Sequence, residues 1–199
     1  MAGRVGVLAL QGAFREHGRA LADVGLDAVE VRRADQLDEL DGLVIPGGES
    51  TTMWKLMDAY GLEQPIRALH DRGAPVFGTC AGMIVVARET VDGVPGQRSL
   101  GLIDVVVRRN AFGRQVASFE ADLTFAGDPD PLTGVFIRAP WIESAGPGVE
   151  VLAEHGGHPV AATQDGVLVT AFHPELTPDR RLHRRFAEMV AAARGKVAA

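Results

Sequence analysis

Short apolar segments alternate with amphipathic segments along the first half of the chain. Four mostly apolar runs have the length and composition typical of buried strands, and they cover residues 5–10, 28–31, 42–45 and 75–78. Apolar residues recur at helical spacing in three further segments, which cover residues 12–24, 50–60 and 81–89. This alternation predicts a parallel sheet with helices on both faces.

The second half of the chain shows strand-like runs with little helical pattern between them. These runs cover residues 102–107, 116–121, 135–137, 149–153, 160–163 and 167–172. We interpret them as an antiparallel addition to the sheet or as a small β region beside it. A last amphipathic helix is predicted over residues 179–194, and residues 198–199 are expected to fray. No repeat or linker interrupts the pattern, so residues 1–199 are expected to form one domain.

Composition narrows the class of protein. Of the 199 residues, 46% are hydrophobic and 23% are charged, which is typical of a folded chain. The 26 acidic and 20 basic residues give a formal net charge of −6, which argues against general binding to nucleic acid or to anionic membranes. No apolar run reaches the roughly 18 residues of a membrane span, and the N-terminus lacks the pattern of a signal peptide. The single cysteine, Cys80, excludes an intrachain disulfide and a thiolate metal cluster, so a cytoplasmic location is expected.

Cys80 lies between a predicted strand and a predicted helix, within Gly78-Thr79-Cys80-Ala81-Gly82. This G-x-C-x-G pattern is the thiol version of the nucleophile elbow, a sharp turn that strains the backbone of the nucleophile. Small neighbours are needed because strand and helix approach closely there. The helix N-terminus favours a thiolate, and the N–H of Ala81 is placed to donate to an oxyanion. The alternative is a buried structural cysteine.

His173 is the histidine that best fits a base for this thiol. It ends the run 167–172 and opens His173-Pro174-Glu175, so a parallel strand would bring it to the sheet edge that holds Cys80. Pro174 favours extended geometry at His173, and Glu175 can orient the imidazole as the third member of a triad. The alternative is a strand-end histidine beside a capping acid. Four other histidines lie in helical or loop contexts and are expected to have ordinary surface or packing roles: His70, His155, His158 and His183.

A third pattern, Pro46-Gly47-Gly48, follows the predicted strand 42–45. Two glycines after a strand expose backbone N–H groups, and Ser50 or Thr51 can cap the following helix. The segment could form the second half of an oxyanion hole, or it could be a tight strand–helix turn and no more. It is not a phosphate loop, because it lacks the G-x-x-x-x-G-K-[ST] spacing.

Taken together and in this order, the three patterns resemble those of the class I (triad) glutamine amidotransferases. Further segments are similar to the family of glutaminase subunits of pyridoxal 5′-phosphate synthase, namely residues 5–12 with 15–17, then 48–52, 109–115, 118–123 and 134–140. The resemblance extends from about residue 5 to residue 189. Trp141 departs from the resemblance, because many relatives have histidine at this position. We expect this difference to affect the wall of the site and not the triad. Residues 91–99 carry no motif.

The resemblance implies a three-layer, flavodoxin-like α/β fold with a central, mostly parallel sheet and an antiparallel β extension. It implies hydrolysis of L-glutamine to L-glutamate and ammonia by Cys80, His173 and Glu175, with no cofactor and no metal. Gly48 and Ala81 would form the oxyanion hole, and Gln11 would sense the docking of a partner. The glutamine contacts that it implies are Gly48, Glu49, Ser50, Arg109, Ile137 and Arg138.

The implied partner is the synthase subunit, a (β/α)₈ barrel that uses the ammonia to build pyridoxal 5′-phosphate. The resemblance implies twelve glutaminases on a dodecameric synthase core, each nearly idle until it is docked. One alternative is a glutaminase that serves another synthase, such as imidazole glycerol phosphate synthase; segments 10–12 and 109–115 argue against it.

Two further alternatives change the class of protein. A cysteine hydrolase or chaperone of the flavodoxin-like superfamily would need neither Glu49 nor the His-Pro-Glu exit, and it would act without a partner. A degenerate regulatory subunit would be non-enzymatic, and the intact set of Cys80, His173 and Glu175 argues against it.

Overall fold

The structure, a computed structural model, describes residues 2–93, 96–113 and 118–197. Four sequence predictions fall partly or wholly outside these ranges. They concern residues 94–95 of the segment without a motif, residues 114–115 of the 109–115 segment, residues 116–117 of the predicted strand 116–121, and the expected frayed end at 198–199.

The described residues form twelve strands, five α-helices and two 3₁₀ turns. In chain order the strands are β1 (Arg4–Leu8), β2 (Asp27–Val31), β3 (Gly42–Ile45), β4 (Val76–Thr79), β5 (Ala87–Val91), β6 (Ile103–Arg108), β7 (Ser118–Leu123), β8 (Leu132–Ile137), β9 (Trp141–Ala145), β10 (Glu150–His155), β11 (His158–Gln164) and β12 (Val167–Thr170). The helices are α1 (Phe14–Asp23), α2 (Ser50–Ala59), α3 (Glu63–Asp71), α4 (Ala81–Val86) and α5 (Arg181–Val197), and the 3₁₀ turns are Ala34–Leu37 and Pro174–Leu176.

A sheet of seven strands forms the centre of the described chain, in the order β10-β11-β12-β4-β3-β1-β2. The five strands from β12 to β2 are parallel, and β10 and β11 extend the sheet in antiparallel pairing. The parallel strands β3, β4 and β12 are buried along their whole length, as expected for short apolar runs covered by helices on both faces. The predicted parallel sheet and its antiparallel addition are both confirmed.

The helices form the outer layers. Helices α1 and α5 contact each other, and so do α2 and α4. The chain crosses from β1 to β2 in one direction and from β3 to β4 in the other, so right-handed crossovers place α1 and α2 on opposite faces of the sheet. Phe77 of β4 packs against Phe186 of α5, which joins the sheet to one of these layers. This is the predicted three-layer α/β architecture.

Two smaller sheets lie beside the central one, and they are present in addition to its antiparallel extension by β10 and β11. Strands β7 and β8 pair antiparallel, whereas β6 pairs with β5 in parallel and with β9 antiparallel. The small β region that the sequence analysis gave as the alternative is therefore present as well, and its strand β5 begins within the predicted helix 81–89.

Several local predictions were wrong. The predicted helix 81–89 ends at Val86, because the carbonyl groups of Val85 and Val86 accept N–H donors from Leu100 and Leu102 and the chain continues as β5. Helix α3 was missed, although buried Leu62, Ile66 and Leu69 follow helical spacing. Strand β9 was missed as well. No helix in the described part of the chain is long and apolar enough to cross a membrane.

Candidate active site

Cys80 occupies a strained turn at the carboxyl end of β4. Its φ of 50° and ψ of −106° lie in a region that costs an L-residue free energy, as the elbow pattern predicts. Its N–H donates to the carbonyl oxygen of Thr170 over 2.8 Å, which ties the turn to β12. A Cβ on Gly78 would lie 2.7 Å from the carbonyl oxygen of Gly82, so the strand and α4 approach too closely for a larger residue. Ala81 begins α4, and its N–H is therefore free of an intrahelical acceptor.

His173 reaches the same sheet edge from the neighbouring strand. Strands β4 and β12 pair in parallel with Thr79 opposite Thr170, so the residues that follow them emerge side by side. The N–H of His173 donates to the carbonyl oxygen of Val135 of β8 over 2.9 Å, and its side chain lines the same cavity as Cys80. The predicted juxtaposition of thiol and imidazole is therefore present.

Glu175 lies behind the imidazole and has a fully buried side chain. The 3₁₀ turn Pro174–Leu176 folds its carboxylate back, so that Oε1 of Glu175 lies 2.8 Å from Nδ1 of His173. Burial lowers the pKa of His173, but the hydrogen bonds to Cys80 and Glu175 outweigh it and raise that pKa to about 10. Burial by itself would raise the pKa of the Glu175 carboxyl, but the neighbouring histidines outweigh burial and hold that pKa below its usual value. The pair therefore favours an imidazolium held by a carboxylate.

The loop after β3 packs directly onto this pair. A Cβ on Gly47 would overlap Cε1 of His173 and would lie 3.3 Å from Cβ of Cys80, so only glycine fits there. Gln11, three residues beyond the end of β1, holds the loop from the other side. Its amide donates to the carbonyl oxygen of Glu49 and accepts from the N–H of Glu49, both over 2.9 Å. The loop is thus fixed between Gln11 and His173.

Glu49 caps α2, which corrects the expectation that Ser50 or Thr51 would do so. Its carboxylate accepts from the N–H groups of Thr51 and Thr52 over 3.0 and 2.7 Å. Partial burial raises the pKa of Glu49, but the hydrogen bonds from Thr52 and Thr51 outweigh it and lower the pKa to about 2. The site therefore holds one firmly ionised carboxylate.

Arg109 brings the opposite charge to this carboxylate. Its Nη2 lies 3.2 Å from Oε1 of Glu49, and its Nη1 donates to Oε1 of Gln97 over 3.0 Å. The amide of Gln97 in turn donates to Oγ of Ser50 over 3.4 Å. Gln97 belongs to the segment 91–99, in which the sequence shows no motif, and this contact was not anticipated.

A cavity of about 270 Å³ opens at this sheet edge. It brings together nine of the eleven residues with a predicted site role, which are Gly48, Glu49, Ser50, Cys80, Ala81, Arg109, Ile137, Arg138 and His173. The other two, Gln11 and Glu175, lie behind the lining and hold it in place. Gly47 of the Pro46-Gly47-Gly48 pattern also lines the cavity, and so do five residues to which the sequence analysis gave no individual role, which are Gly12, Ala13, Ile84, Asn110 and Pro140.

The cavity wall is rich in strained backbone. Asn110 and Arg138 have positive φ values of 46° and 44°, like Cys80. Asparagine tolerates this region, but arginine rarely occupies it, so the strain at Arg138 points to a positional requirement.

Trp141 lies outside the lining. It stacks on His158 with ring centroids 3.6 Å apart and donates to Glu143 over 2.9 Å.

Two buried histidines lie behind Glu175, and the sequence analysis assigned no role in the site to His17 and only an ordinary surface or packing role to His183. His17 of α1 and His183 of α5 are both fully buried.

The expectation that the remaining histidines would lie in helices or loops was wrong for two of them. His155 ends β10 and His158 begins β11. Within residues 2–93, 96–113 and 118–197, no three His, Cys, Asp or Glu side chains are grouped as metal ligands.

Comparison with known sequences gives a consistent result. Residues 7–192 match the SNO glutamine amidotransferase family. The pyridoxal 5′-phosphate synthase subunit PdxT of Acidothermus cellulolyticus is 62% identical over 195 residues, covering 95% of this chain and 94% of its own. The protein of the same name from Streptomyces avermitilis is 58% identical over 191 residues, covering 96% of this chain and 95% of its own.

Comparison with solved structures agrees with the sequences. A crystal structure described as a glutamine amidotransferase superposes with a TM-score of 0.88 at 53% identity, covering 94% of this chain and 98% of that one. PurLQS from Thermotoga maritima superposes with a TM-score of 0.65 at 17% identity over the full length of both chains, a likeness that concerns the fold alone.

Proposed function

The chain belongs to the SNO glutamine amidotransferase family, and on that premise we propose that Cys80, His173 and Glu175 hydrolyse L-glutamine to L-glutamate and ammonia. One observation carries the residue assignment: thiol, imidazole and buried carboxylate follow one another from the cavity wall inward. A nucleophile, a base and an orienting acid in this arrangement perform acyl transfer on unrelated folds. Residues 1–199 act as one glutaminase domain.

The first half-reaction forms a thioester. The thiolate sulfur of Cys80 attacks the side-chain amide carbon of glutamine, and the carbonyl electron pair moves onto oxygen. The N–H groups of Gly48 and Ala81 stabilise this oxyanion, each by about 3–4 kcal/mol. The C–N bond then breaks, and the imidazolium of His173 protonates the leaving nitrogen, so that ammonia departs.

The second half-reaction restores the enzyme. His173, now neutral, removes a proton from water, and the hydroxide attacks the γ-glutamyl thioester. The C–S bond breaks, and glutamate leaves while Cys80 and His173 return to their starting states. Glu175 holds the ring of His173 through Nδ1 in both steps, so that the same ring edge faces the substrate throughout.

The charges of the cavity suit the other end of glutamine. Its α-ammonium needs an anion, and Glu49 is ionised over the whole physiological range. Its α-carboxylate needs a cation, and Arg109 and Arg138 line the same cavity. Ser50 and Ile137 complete the proposed glutamine contacts. No cofactor or metal takes part in this scheme.

The proposed recipient of the ammonia is a pyridoxal 5′-phosphate synthase subunit, a (β/α)₈ barrel. The support is the name that the relatives at 58–62% identity carry. We place the complex in the cytoplasm, with twelve glutaminases on twelve synthase subunits. Docking acts through Gln11, whose paired hydrogen bonds to Glu49 join the residues after β1 to the loop that bears Gly48.

Glutamate release, measured with and without the synthase subunit, tests the proposal. We expect release that rises on addition of the synthase and that Cys80→Ala and His173→Ala abolish. His70→Gln, a change on α3 away from the cavity, is the matched histidine control and should act like the wild type. Release that survives Cys80→Ala would exclude this thiol as the nucleophile.

The partner is tested separately from the chemistry. Light scattering of the mixed subunits should give the mass of a twelve-plus-twelve assembly, and Gln11→Ala should bind the synthase but respond to it less. A glutaminase that shows full activity alone, or a mixture that scatters as separate subunits, would contradict the synthase assignment while leaving the triad untouched.

A further inference from the structure

A line of polar contacts continues inward beyond Glu175. Nε2 of His17 lies 3.2 Å from Oε2 of Glu175 and 3.2 Å from the hydroxyl oxygen of Thr79, the residue before Cys80. Nδ1 of His17 lies 3.0 Å from Nε2 of His183. His17, Glu175 and His183 have fully buried or nearly fully buried side chains, so no water competes for these contacts.

The two histidines are uncharged at neutral pH. Burial, the largest effect, lowers the pKa of His17, and although Glu175 raises it, His173 adds to the lowering. Burial and the neighbouring His17 lower the pKa of His183 to about 3. Each ring therefore carries one N–H, and the contacts decide which nitrogen bears it.

One assignment of the protons satisfies the site. If His183 donates from Nε2 to Nδ1 of His17, then His17 carries its own proton on Nε2, where both the hydroxyl oxygen of Thr79 and Oε2 of Glu175 lie 3.2 Å away. Nδ1 of His183, which has no hydrogen-bond partner among the described residues, is then a bare acceptor. The reverse assignment would bury an unpaired N–H on His183 and would turn a lone pair of His17 toward a carboxylate, and both are costly.

Oε2 of Glu175 needs this N–H. Oε1 of Glu175 contacts Nδ1 of His173. Among the described residues, no donor meets Oε2 of Glu175 with full hydrogen-bond geometry. The close polar contact of Oε2 is Nε2 of His17, at 3.2 Å. A buried carboxylate with one free oxygen could rotate away from His173 or take up a proton.

We propose that His17 is a positioning residue for glutamine hydrolysis: its Nε2–H anchors the second oxygen of Glu175, which keeps the first oxygen in line with His173, while His183 fixes the proton of His17. The proposal rests on the proposed function of Cys80, His173 and Glu175. His17 does not line the cavity, and it acts on the reaction through Glu175. Loss of His17 should therefore lower kcat and leave the KM for glutamine little changed.

Two near-isosteric substitutions separate the two nitrogens of the ring. His17→Asn places an amide near the position of Nδ1, so it keeps the contact with His183 and loses the contact with Glu175. His17→Gln reaches the position of Nε2 and can still donate to Glu175. With the synthase bound, we expect kcat to fall about tenfold or more in His17→Asn, with KM within about twofold of the wild type, and to be largely retained in His17→Gln.

Two further measurements distinguish positioning from packing. In a Glu175→Gln background, His17→Asn should cause no further loss, because its target has already been removed. Leu21→Ala, a buried change one turn along α1, should lower stability but leave kcat unchanged in the folded enzyme. Equal kcat in the Asn and Gln variants, an undiminished effect without Glu175, or an equal loss in Leu21→Ala would each overturn the proposal.

Alkylation of Cys80 by iodoacetamide separates this proposal from the proposed function, since it needs neither glutamine nor the synthase. Its rate follows the thiolate, which the imidazolium of His173 supports. We expect slower alkylation in His17→Asn than in His17→Gln. If the wild type released no glutamate, the proposed function would fail, but equal alkylation rates in the two variants would count against the role of His17 alone.

Discussion

Gly82 lies so close to Ile45 that a Cβ at position 82 would overlap the carbonyl oxygen of Ile45. The two residues belong to α4 and β3, which carry the nucleophile turn and the loop with the proposed oxyanion donor. The missing side chain of Gly82 therefore sets the distance between Cys80 and the loop that holds Gly48. The last glycine of the G-x-C-x-G pattern therefore allows close packing against the neighbouring strand β3 as well as a tight turn at Cys80.

Gly82→Ala should destabilise the protein by about 1–3 kcal/mol, because the group it would meet is backbone and cannot turn aside. Gly18→Ala is the matched control. Gly18 lies inside α1 with nothing within 4 Å of a built Cβ, so that change should stabilise by about 0.5–1 kcal/mol. Urea unfolding of both variants measures the difference, and equal stabilities would show that α4 can move away from β3.

Glu175→Gln should lower kcat by about 10³-fold or more. The amide can donate an N–H to Nδ1 of His173 and so select the wrong tautomer, and it removes the charge that stabilises the imidazolium. Glutamate release in the presence of the synthase measures this change, with Glu188→Gln on the exposed side of α5 as the control. A loss below about tenfold would show that His173 is oriented by other contacts.

The stability contributed by Glu49 should depend on pH. Its pKa falls from 4.5 to about 2 in the folded chain, so its contribution is present above the unfolded value and is lost as pH falls through the folded one. Glu49→Gln should therefore cost up to about 1 kcal/mol near neutral pH, reduced by the exposure of the side chain, and little near pH 2. Unfolding measured across this range tests it, and a difference that stays constant with pH would contradict it.

Arg138 combines a proposed substrate charge with a strained backbone. Both Arg138→Gly and Arg138→Ala remove the guanidinium, and both should raise the KM for glutamine about tenfold. The glycine variant should be more stable than the alanine variant by about 1 kcal/mol, because the φ of 44° suits glycine and not alanine. Kinetics and thermal unfolding of the pair separate the two effects, and equal stability would mean that the turn relaxes.

The local parts of the site were predictable because local patterns specify them. The apolar runs of β3 and β4 and the glycines around Cys80 dictate a strand, a sharp turn and a close helix. His173-Pro174-Glu175 places the imidazole and the carboxylate that contacts it within three residues. The predicted helix 81–89 failed because another segment decided its end: hydrogen bonds from residues 100–102 stop the helix at Val86.

Contacts between distant segments were not predictable in the same way. Gln97 reaches Ser50 and Arg109 from a segment without a motif. Glu49 contacts Arg109, which lies 60 residues further along the chain. In each case the side chain is ordinary in its own sequence context, and only its neighbours give it a role.

The sequence by itself determined most of the parallel strands and the turn at Cys80, and it placed His173 beside Glu175 in the chain, since each of these features depends on residues within a few positions of one another. The tertiary structure alone decided that His17 and His183, 166 residues apart, meet behind Glu175. That contact requires α1 and α5 to pack together on one face of the sheet, and no local periodicity specifies which histidine faces which. The proton assignments follow from burial and from the geometry of the three side chains, which exist only in the folded chain.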